Sequence, residues 1–276
     1  MKNSLPSFLN PPVVETALSI QFEPIKGFGN AHLGIFWSRH QEVFPKPSDA
    51  EPIIAQYEIF GKERNRLSTM PPRVRLGSNP AVRLQMTSAD QSRMVQVQNG
   101  RLVYNWRRIN DGVYPCWSSV QPDLLSYWKE FQTFVVECNL DSPKPNQWEV
   151  VYVNHFPKGR DWDSPADWTN LLPGVLGCSD RLIRGNLESL SAQWHVGLEN
   201  DRGRLHIDLS HVLAVSNNDP DGEPMEILSL QLTARGPLDK GDDAVEKGLE
   251  FGHAVIVQNF TGITSETAHK QWKRQS

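Results

Sequence analysis

Met94-Val95-Gln96-Val97-Gln98-Asn99-Gly100-Arg101-Leu102-Val103-Tyr104-Asn105-Trp106 is the stretch from which the fold can be read. Apolar and polar residues alternate on both sides of Asn99-Gly100, the pattern of two antiparallel strands joined by a two-residue turn. Asn-Gly supplies the positive φ angles that a type I′ turn requires. Such a turn sets Gln98 opposite Arg101, Val97 opposite Leu102 and Val95 opposite Tyr104. Val95, Val97, Leu102, Tyr104 and Trp106 then share a face that must be covered, while Gln96, Gln98, Arg101, Asn105 and Arg107 share the other.

Towards the N-terminus, Val13 to Phe22 is rich in β-formers and reads as a strand stopped by Pro24. Leu33, Phe36, Trp37, His40 and Phe44 recur at helical spacing and stop before Pro45. The proline-rich stretch 45–80 predicts loops with a strand near Ile53 to Phe60. Towards the C-terminus, Pro122 marks a helix start, and Leu124, Trp128, Phe131, Val135 and Cys138 form its buried stripe. The segment Asp141 to Asn146 breaks that helix. It divides the chain into an N-terminal half, 1–140, and a C-terminal half, 147–276, expected to pack as one unit. The second half opens with a strand from Trp148 to Val153 and a helix start at Ser164-Pro165. Three strands follow near 192–198, 205–210 and 228–233, each with one apolar and one polar face. Val245, Leu249, Gly252, Ile256 and Phe260 mark a last helix, ended by Gly262. The expected fold class is α+β: two layers, antiparallel sheets with packed helices. The order of elements leaves open an internally duplicated strand–helix–hairpin–helix arrangement.

At 276 residues the chain can bury about 75% of its extended surface, so a core forms without disulfides or metals. A net charge of −4 excludes a globally basic nucleic-acid or membrane binder. Cys116, Cys138 and Cys178 are scattered and odd in number, as expected of reduced thiols in a cytoplasmic protein. The first residues lack the apolar run of a secretory leader, and no run has the ~20 apolar residues of a membrane span. Nine tryptophans either fill a core or, on loops, anchor a partner.

The polar faces carry the candidate chemistry. His195, His206, Asp208 and Ser210 lie on the second half's polar face, with His211 nearby. A turn centred on Asp201-Arg202 would set His195 opposite Asp208, with Ser210 on the same side. A base, an orienting carboxylate and a hydroxyl are the groups that nucleophilic catalysis needs. No Gly-x-Ser-x-Gly elbow accompanies them, and a solvated cross-strand His–Asp pair explains the same residues, so no catalytic residue is assigned. No metal site or cofactor is expected either. Asn217-x-Asp219-x-Asp221-Gly222 begins like a calcium loop, but its twelfth position is Leu228, where a bidentate glutamate is required. No phosphate-cradling glycine motif is present.

Charge is unevenly spread. Lys62 to Arg108 holds ten basic residues and two acidic ones, Glu63 and Asp90, so this segment is +8 and the remainder −12. Arg93, Arg101, Arg107 and Arg108 are the candidate contacts to nucleic acid or to an acidic partner, because the guanidinium fork matches phosphate and carboxylate. Pairing within the protein, or plain solvation, accounts for such a run equally. His40, His253, His269 and Trp272 read as core-edge or docked-tail residues.

Leu9-Asn10-Pro11-Pro12-Val13-Val14-Glu15, Gln98 to Arg107 (QNGRLVYNWR), Gly252-His253-Ala254-Val255-Ile256-Val257 and Phe260 to Trp272 (FTGITSETAHKQW) span nearly the whole chain. In these motifs it resembles a sporadically distributed bacterial family of uncharacterised proteins of about this length. The pattern departs at Lys273, where the resemblance implies glycine. The resemblance implies a cytosolic single-unit protein, brings no catalytic residues, and suggests accessory genes such as phage-defence or toxin–antitoxin cassettes. Three readings follow. The first is a non-enzymatic binding or regulatory protein acting through a protein partner in such a system. The second is a nucleic-acid-binding protein using 62–108. The third is a hydrolase at His195, Asp208 and Ser210. The oligomeric state stays open.

Overall fold

The hairpin forms with the expected register: Gln98 faces Arg101, Val97 faces Leu102 and Val95 faces Tyr104. Its turn differs from expectation. Only Gly100 takes a positive φ, +112°, so the turn is not type I′. The Asn99 side chain is committed elsewhere: Oδ1 accepts from Ile25 N–H (2.7 Å), and Nδ2 donates to the carbonyls of Ile25 (3.0 Å) and Phe28 (3.2 Å). Asparagine here clamps the chain that leaves the first strand.

The structure, a computed structural model, describes residues 5–60, 81–177, 187–214 and 223–275. Its strands are β1 (Val13–Phe22), β2 (Lys46–Ala50), β3 (Arg83–Thr87), β4 (Arg93–Gln98), β5 (Arg101–Arg107), β6 (Pro145–Pro157), β7 (Ser191–Gly197), β8 (Arg204–Ala214) and β9 (Met225–Pro237). The helices are α1 (Asn30–Ser38), α2 (Trp117–Glu137), two single turns α3 (Trp168–Leu171) and α4 (Pro173–Leu176), α5 (Ala244–Ile263) and α6 (Glu266–Gln271). All nine strands join one antiparallel sheet in the order β2-β3-β4-β5-β1-β6-β9-β8-β7. β1 pairs with β6, so both halves share this sheet rather than each building its own.

Both long helices lie on one face. α2 packs on β5 and β1, and α5 on β6 and β9. Leu18, Ile20, Phe22, Leu102, Val150, Leu205, Leu230 and Leu232 point into that layer and are fully buried or nearly so. α2 starts at Trp117, five residues before Pro122, which lies inside the helix. The stripe of Leu124, Trp128, Phe131 and Val135 is buried as expected, whereas Cys138 is only half-buried at the helix end. α5 runs through Gly262 to Ile263 and stops because Ser265 caps the next helix, accepting from Ala268 N–H. It approaches β6 closely: a Cβ on Gly248 would sit 2.4 Å from Trp148 Cδ1, and one on Gly252 2.5 Å from Trp148 Cζ3. The two glycines, one helical turn apart, form the slot that receives the Trp148 ring.

None of the nine tryptophans is exposed; they fill the core. The C-terminal tail docks as expected. Phe8 packs on His269 and Trp272, and Leu9 and Asn10 N–H donate to the carbonyls of Lys273 and Trp272 (both 3.1 Å). Lys273 has φ +54°, the left-handed region, at the one position where the resemblance implies glycine. Two expectations fail. Lys46–Ala50, with Pro47 and two charges, is an edge strand, a place where a missing N–H group is tolerated. Ile53 to Phe60, expected as a strand, joins no strand ladder at all.

Candidate functional site

Residues 53–60 cross the second face of the sheet at right angles to the strands. Ile53 N–H donates to Gln98 Oε1 and its carbonyl accepts from Gln98 Nε2, both at 2.8 Å. Gln56 N–H donates to Gln21 Oε1 (2.9 Å), and Glu58 N–H to Gln147 Oε1 (3.3 Å). The Ile59 carbonyl accepts from Arg204 Nη2 (3.2 Å), and the Phe60 ring lies 5.1 Å from the same guanidinium. These side chains stand on β4, β1, β6 and β8. From β4 to β8 there are five inter-strand steps, or roughly 24 Å at ~4.8 Å each. Seven residue steps from Ile53 to Phe60 span roughly 24 Å only when fully extended, at ~3.4 Å per residue. This segment is a taut strap whose backbone is read by side chains from below.

Its anchor is Glu58, whose side chain is 2% exposed. Oε1 accepts from His206 Nε2 (2.7 Å) and from Arg235 Nε (3.0 Å) and Nη2 (2.9 Å), while Oε2 pairs with Arg204. Burial alone would raise the Glu58 pKa; the hydrogen bonds from His206 and Arg235 outweigh it and hold the carboxyl at about 2. The network continues under the strap. Arg235 Nη1 bonds Glu149 Oε2 (2.7 Å), and Arg101 Nη1 bonds Glu149 Oε1 (2.8 Å) and Ser19 Oγ (3.1 Å). Arg101 Nη2 reaches Gln21 Oε1 (2.7 Å). Three guanidinium groups, of Arg101, Arg204 and Arg235, thus face two carboxylates, one of which belongs to the strap.

The structure distributes the sequence candidates unevenly. It brings Arg101 and His206 into this network, but Arg101 is buried and internally paired rather than a surface cation. Arg107 shares the polar face, opposite Glu15, whereas Arg93 lies on the helix-bearing side opposite Trp106. Arg108 donates to the Pro11 carbonyl (2.9 Å) at the end of the sheet. These four arginines do not form one strip. Lys62, Arg64, Arg66, Arg73 and Arg75 lie outside the described residues, as do Cys178 and the calcium-like stretch 217–222.

The hydrolase arrangement is corrected by register. β7 and β8 pair His195 with His206, Gln193 with Asp208 and Ser191 with Ser210. The connection is six residues, Leu198–Gly203, with Asn200 and Asp201 at φ +57° and +55°, which shifts the pairing by two residues from a turn centred on Asp201-Arg202. His195 Nδ1 meets His206 Nδ1 (2.7 Å), and Asp208 Oδ1 accepts from Gln193 (2.6 Å), so the expected His–Asp pair does not form. No group of acidic, histidine or cysteine side chains able to hold a metal occurs among the described residues.

No protein-family model matches the chain, and no curated protein matches it. The site therefore stands on its geometry. Sequence pattern placed Gln98, Arg101 and His206 on polar faces. It missed Glu58, Gln147, Glu149, Arg204 and Arg235 as site residues, because what unites them is a covering segment remote in sequence. One signal was present: Gln21, Gln98 and Gln147 are neutral amides near strand ends, where a solvated charge would serve as well.

Proposed function

We propose that this is a binding protein that captures an extended, glutamate-bearing segment of a partner protein on the polar face of its sheet, in the place the strap holds in the free chain. The observation that carries this reading is the strap itself, an extended peptide read through its N–H and C=O groups by Gln98, Gln21, Gln147 and Arg204 and through its carboxylate by Arg204, His206 and Arg235. Side-chain amides suit peptide groups, offering a donor and an acceptor together. The strap is lightly held: Ile54 is 79% and Tyr57 52% exposed, and Glu58 alone is buried. Few buried apolar contacts mark a segment that opens locally. With the strap lifted, Arg101, Arg204 and Arg235 face Glu149 alone, a positive site that favours an acidic occupant.

The same reading includes an internal duplication. Outward from the central pair β1–β6, the strands β5, β4, β3 on one side answer β9, β8, β7 on the other, and in each half a long helix, α2 or α5, follows the strands. The strap then crosses the junction of two equivalent units. An accessory setting such as phage defence rests on the sequence resemblance alone.

A fluorescein-labelled peptide with the sequence of residues 51–60 tests the proposal against wild type and Glu58→Gln. The variant, whose own strap has lost its anchor, should bind the peptide, with wild type at least ~10-fold weaker because its site is self-occupied. The peptide with glutamine at the Glu58 position should bind neither, and Arg235→Ala added to the variant should abolish capture. Failure of the released variant to bind any acidic extended peptide sinks the idea. Salt-sensitive binding of single-stranded DNA or RNA in its place would transfer the face to nucleic acid.

A further inference from the structure

A second site lies on the opposite side of the sheet, independent of the strap. Between the N-terminal stretch 5–11, the start of α2, β6 and the middle of α5 is a half-enclosed cavity of about 380 Å³. That lies within the ~300–1,000 Å³ typical of small-molecule pockets, and at ~30 Å³ per water it equals roughly a dozen waters. Phe8, Val13, Trp117, Ile256, Val257 and Phe260 are among its apolar lining, and no Asp, Glu, Lys or Arg lines it.

Three of its polar side chains converge in one chain, beside Ser7, Ser118 and Asn154 elsewhere in the wall. Tyr114 Oη lies 2.8 Å from Tyr152 Oη, which lies 3.0 Å from His253 Nδ1. The Trp117 indole stacks on the His253 imidazole at 4.2 Å with 2° between the planes, fixing the ring and leaving a flat aromatic rim. Burial keeps all three groups uncharged near neutrality: the His253 pKa is pulled down to about 4, that of Tyr114 is pushed up to about 12, and that of Tyr152 is raised well above its ordinary value. The residue leading into this rim, Cys116, is exposed and held at φ +69°, a strained angle for a non-glycine residue.

We infer that this cavity binds a small, neutral, one- or two-ring aromatic molecule carrying a single hydroxyl or carbonyl, the ring against Trp117 and Val257 and the oxygen on the Tyr114–Tyr152–His253 chain. A charged ligand would find no counter-ion in the wall and is disfavoured. A purely apolar ring would offer nothing to the polar atoms of this chain.

The probes are 2-naphthol and naphthalene, titrated by quenching of intrinsic tryptophan fluorescence, with Cys116 alkylation by iodoacetamide as a second readout. Wild type should bind 2-naphthol one to one, at least ~10-fold more tightly than naphthalene, and bound 2-naphthol should slow alkylation of Cys116. Tyr152→Phe should erase the preference for the hydroxyl while naphthalene binding persists, and Val257→Trp should fill the cavity and abolish both. Absence of saturable binding to wild type overturns the proposal, as does an undiminished preference in the Tyr152→Phe protein. Should the Val257→Trp protein fail to fold, the alkylation protection in wild type decides. Glu58→Gln should leave all of this unchanged, which keeps the result separate from the fate of the strap.

Discussion

Replacing Glu58 with glutamine keeps the shape of the strap's anchor and removes its charge. The carboxyl is held at about 2 against an ordinary 4.5. At ~1.4 kcal/mol for each factor of ten in acidity, the site favours the anion by ~3 kcal/mol. That is the upper end of the cost, because a neutral strap can lift away and return Arg204 and His206 to water instead of staying beside an unmatched site. The effect should therefore be local. Amide hydrogen exchange read by mass spectrometry should show Ile53, Gln56 and residue 58 exchanging ~30–100-fold faster than in wild type, with β1 and β6 unchanged. The thermal midpoint should move only a few degrees, since no apolar residue of the strap is fully buried. The pH dependence has a definite sign. A folded-state pKa below the ordinary value stabilises fully above ~4.5 and is lost as pH falls through about 2. Wild-type strap protection should thus persist at pH 4 and converge on that of the variant only towards pH 2. Equal exchange of the strap in both proteins at pH 7 would refute the reasoning.

The backbone makes two further predictions, both checked by thermal melts. Lys273→Gly should raise stability by ~0.5–1 kcal/mol, because relief of a left-handed residue, ~1–2 kcal/mol, exceeds glycine's entropy in the unfolded chain; an unchanged or lower midpoint contradicts it. Gly248→Ala should destabilise by ~1–3 kcal/mol, since its Cβ would strike the Trp148 ring and α5 must move off β6. Gly262→Ala, in the same helix with nothing within 4 Å, should gain up to ~1 kcal/mol; the two alanines shifting in the same direction would refute the slot.

Local pattern carried the architecture well where each element declares itself. Val13–Phe22 matches its strand residue for residue, the hairpin register follows from a two-residue turn, and the Val245-to-Phe260 stripe is the buried face of α5. It failed where tertiary contacts override propensity. Asn99 looked like a source of positive φ and instead holds Ile25 and Phe28. Ile53 to Phe60 has β-forming residues and adopts extended backbone, yet the partners of its N–H groups are side chains of the strands beneath it rather than another strand. The six-residue β7–β8 connection slid His195 from Asp208 to His206, because two left-handed residues in succession are not legible in Glu-Asn-Asp-Arg. The cavity was invisible for a different reason: Tyr114, Tyr152 and His253 come from a loop, a strand and a helix, and each taken alone reads as an ordinary half-polar core residue.

Why a sheet should bury glutamine and arginine beneath a mostly exposed peptide is answered by the balance of energies. Five backbone hydrogen bonds to the strap, at ~1 kcal/mol each, and ~3 kcal/mol for the seated carboxylate stabilise docking by roughly 8 kcal/mol. Ordering the eight residues from Ile53 to Phe60 opposes this and cancels most of it, leaving the net protection of about 2–3 kcal/mol that the Glu58 substitution is expected to erase. A cover so near balance protects the polar face without sealing it. A covalently attached strap also has a high local concentration, so a free competitor must offer more than the same bonds. The outward-facing Ile54 and Tyr57 make no use of the surface above the sheet. A partner segment that keeps the glutamate and adds apolar contacts along the strap's exposed flank would gain what the strap forgoes, and affinity should therefore depend on the residues flanking the glutamate as much as on the glutamate itself.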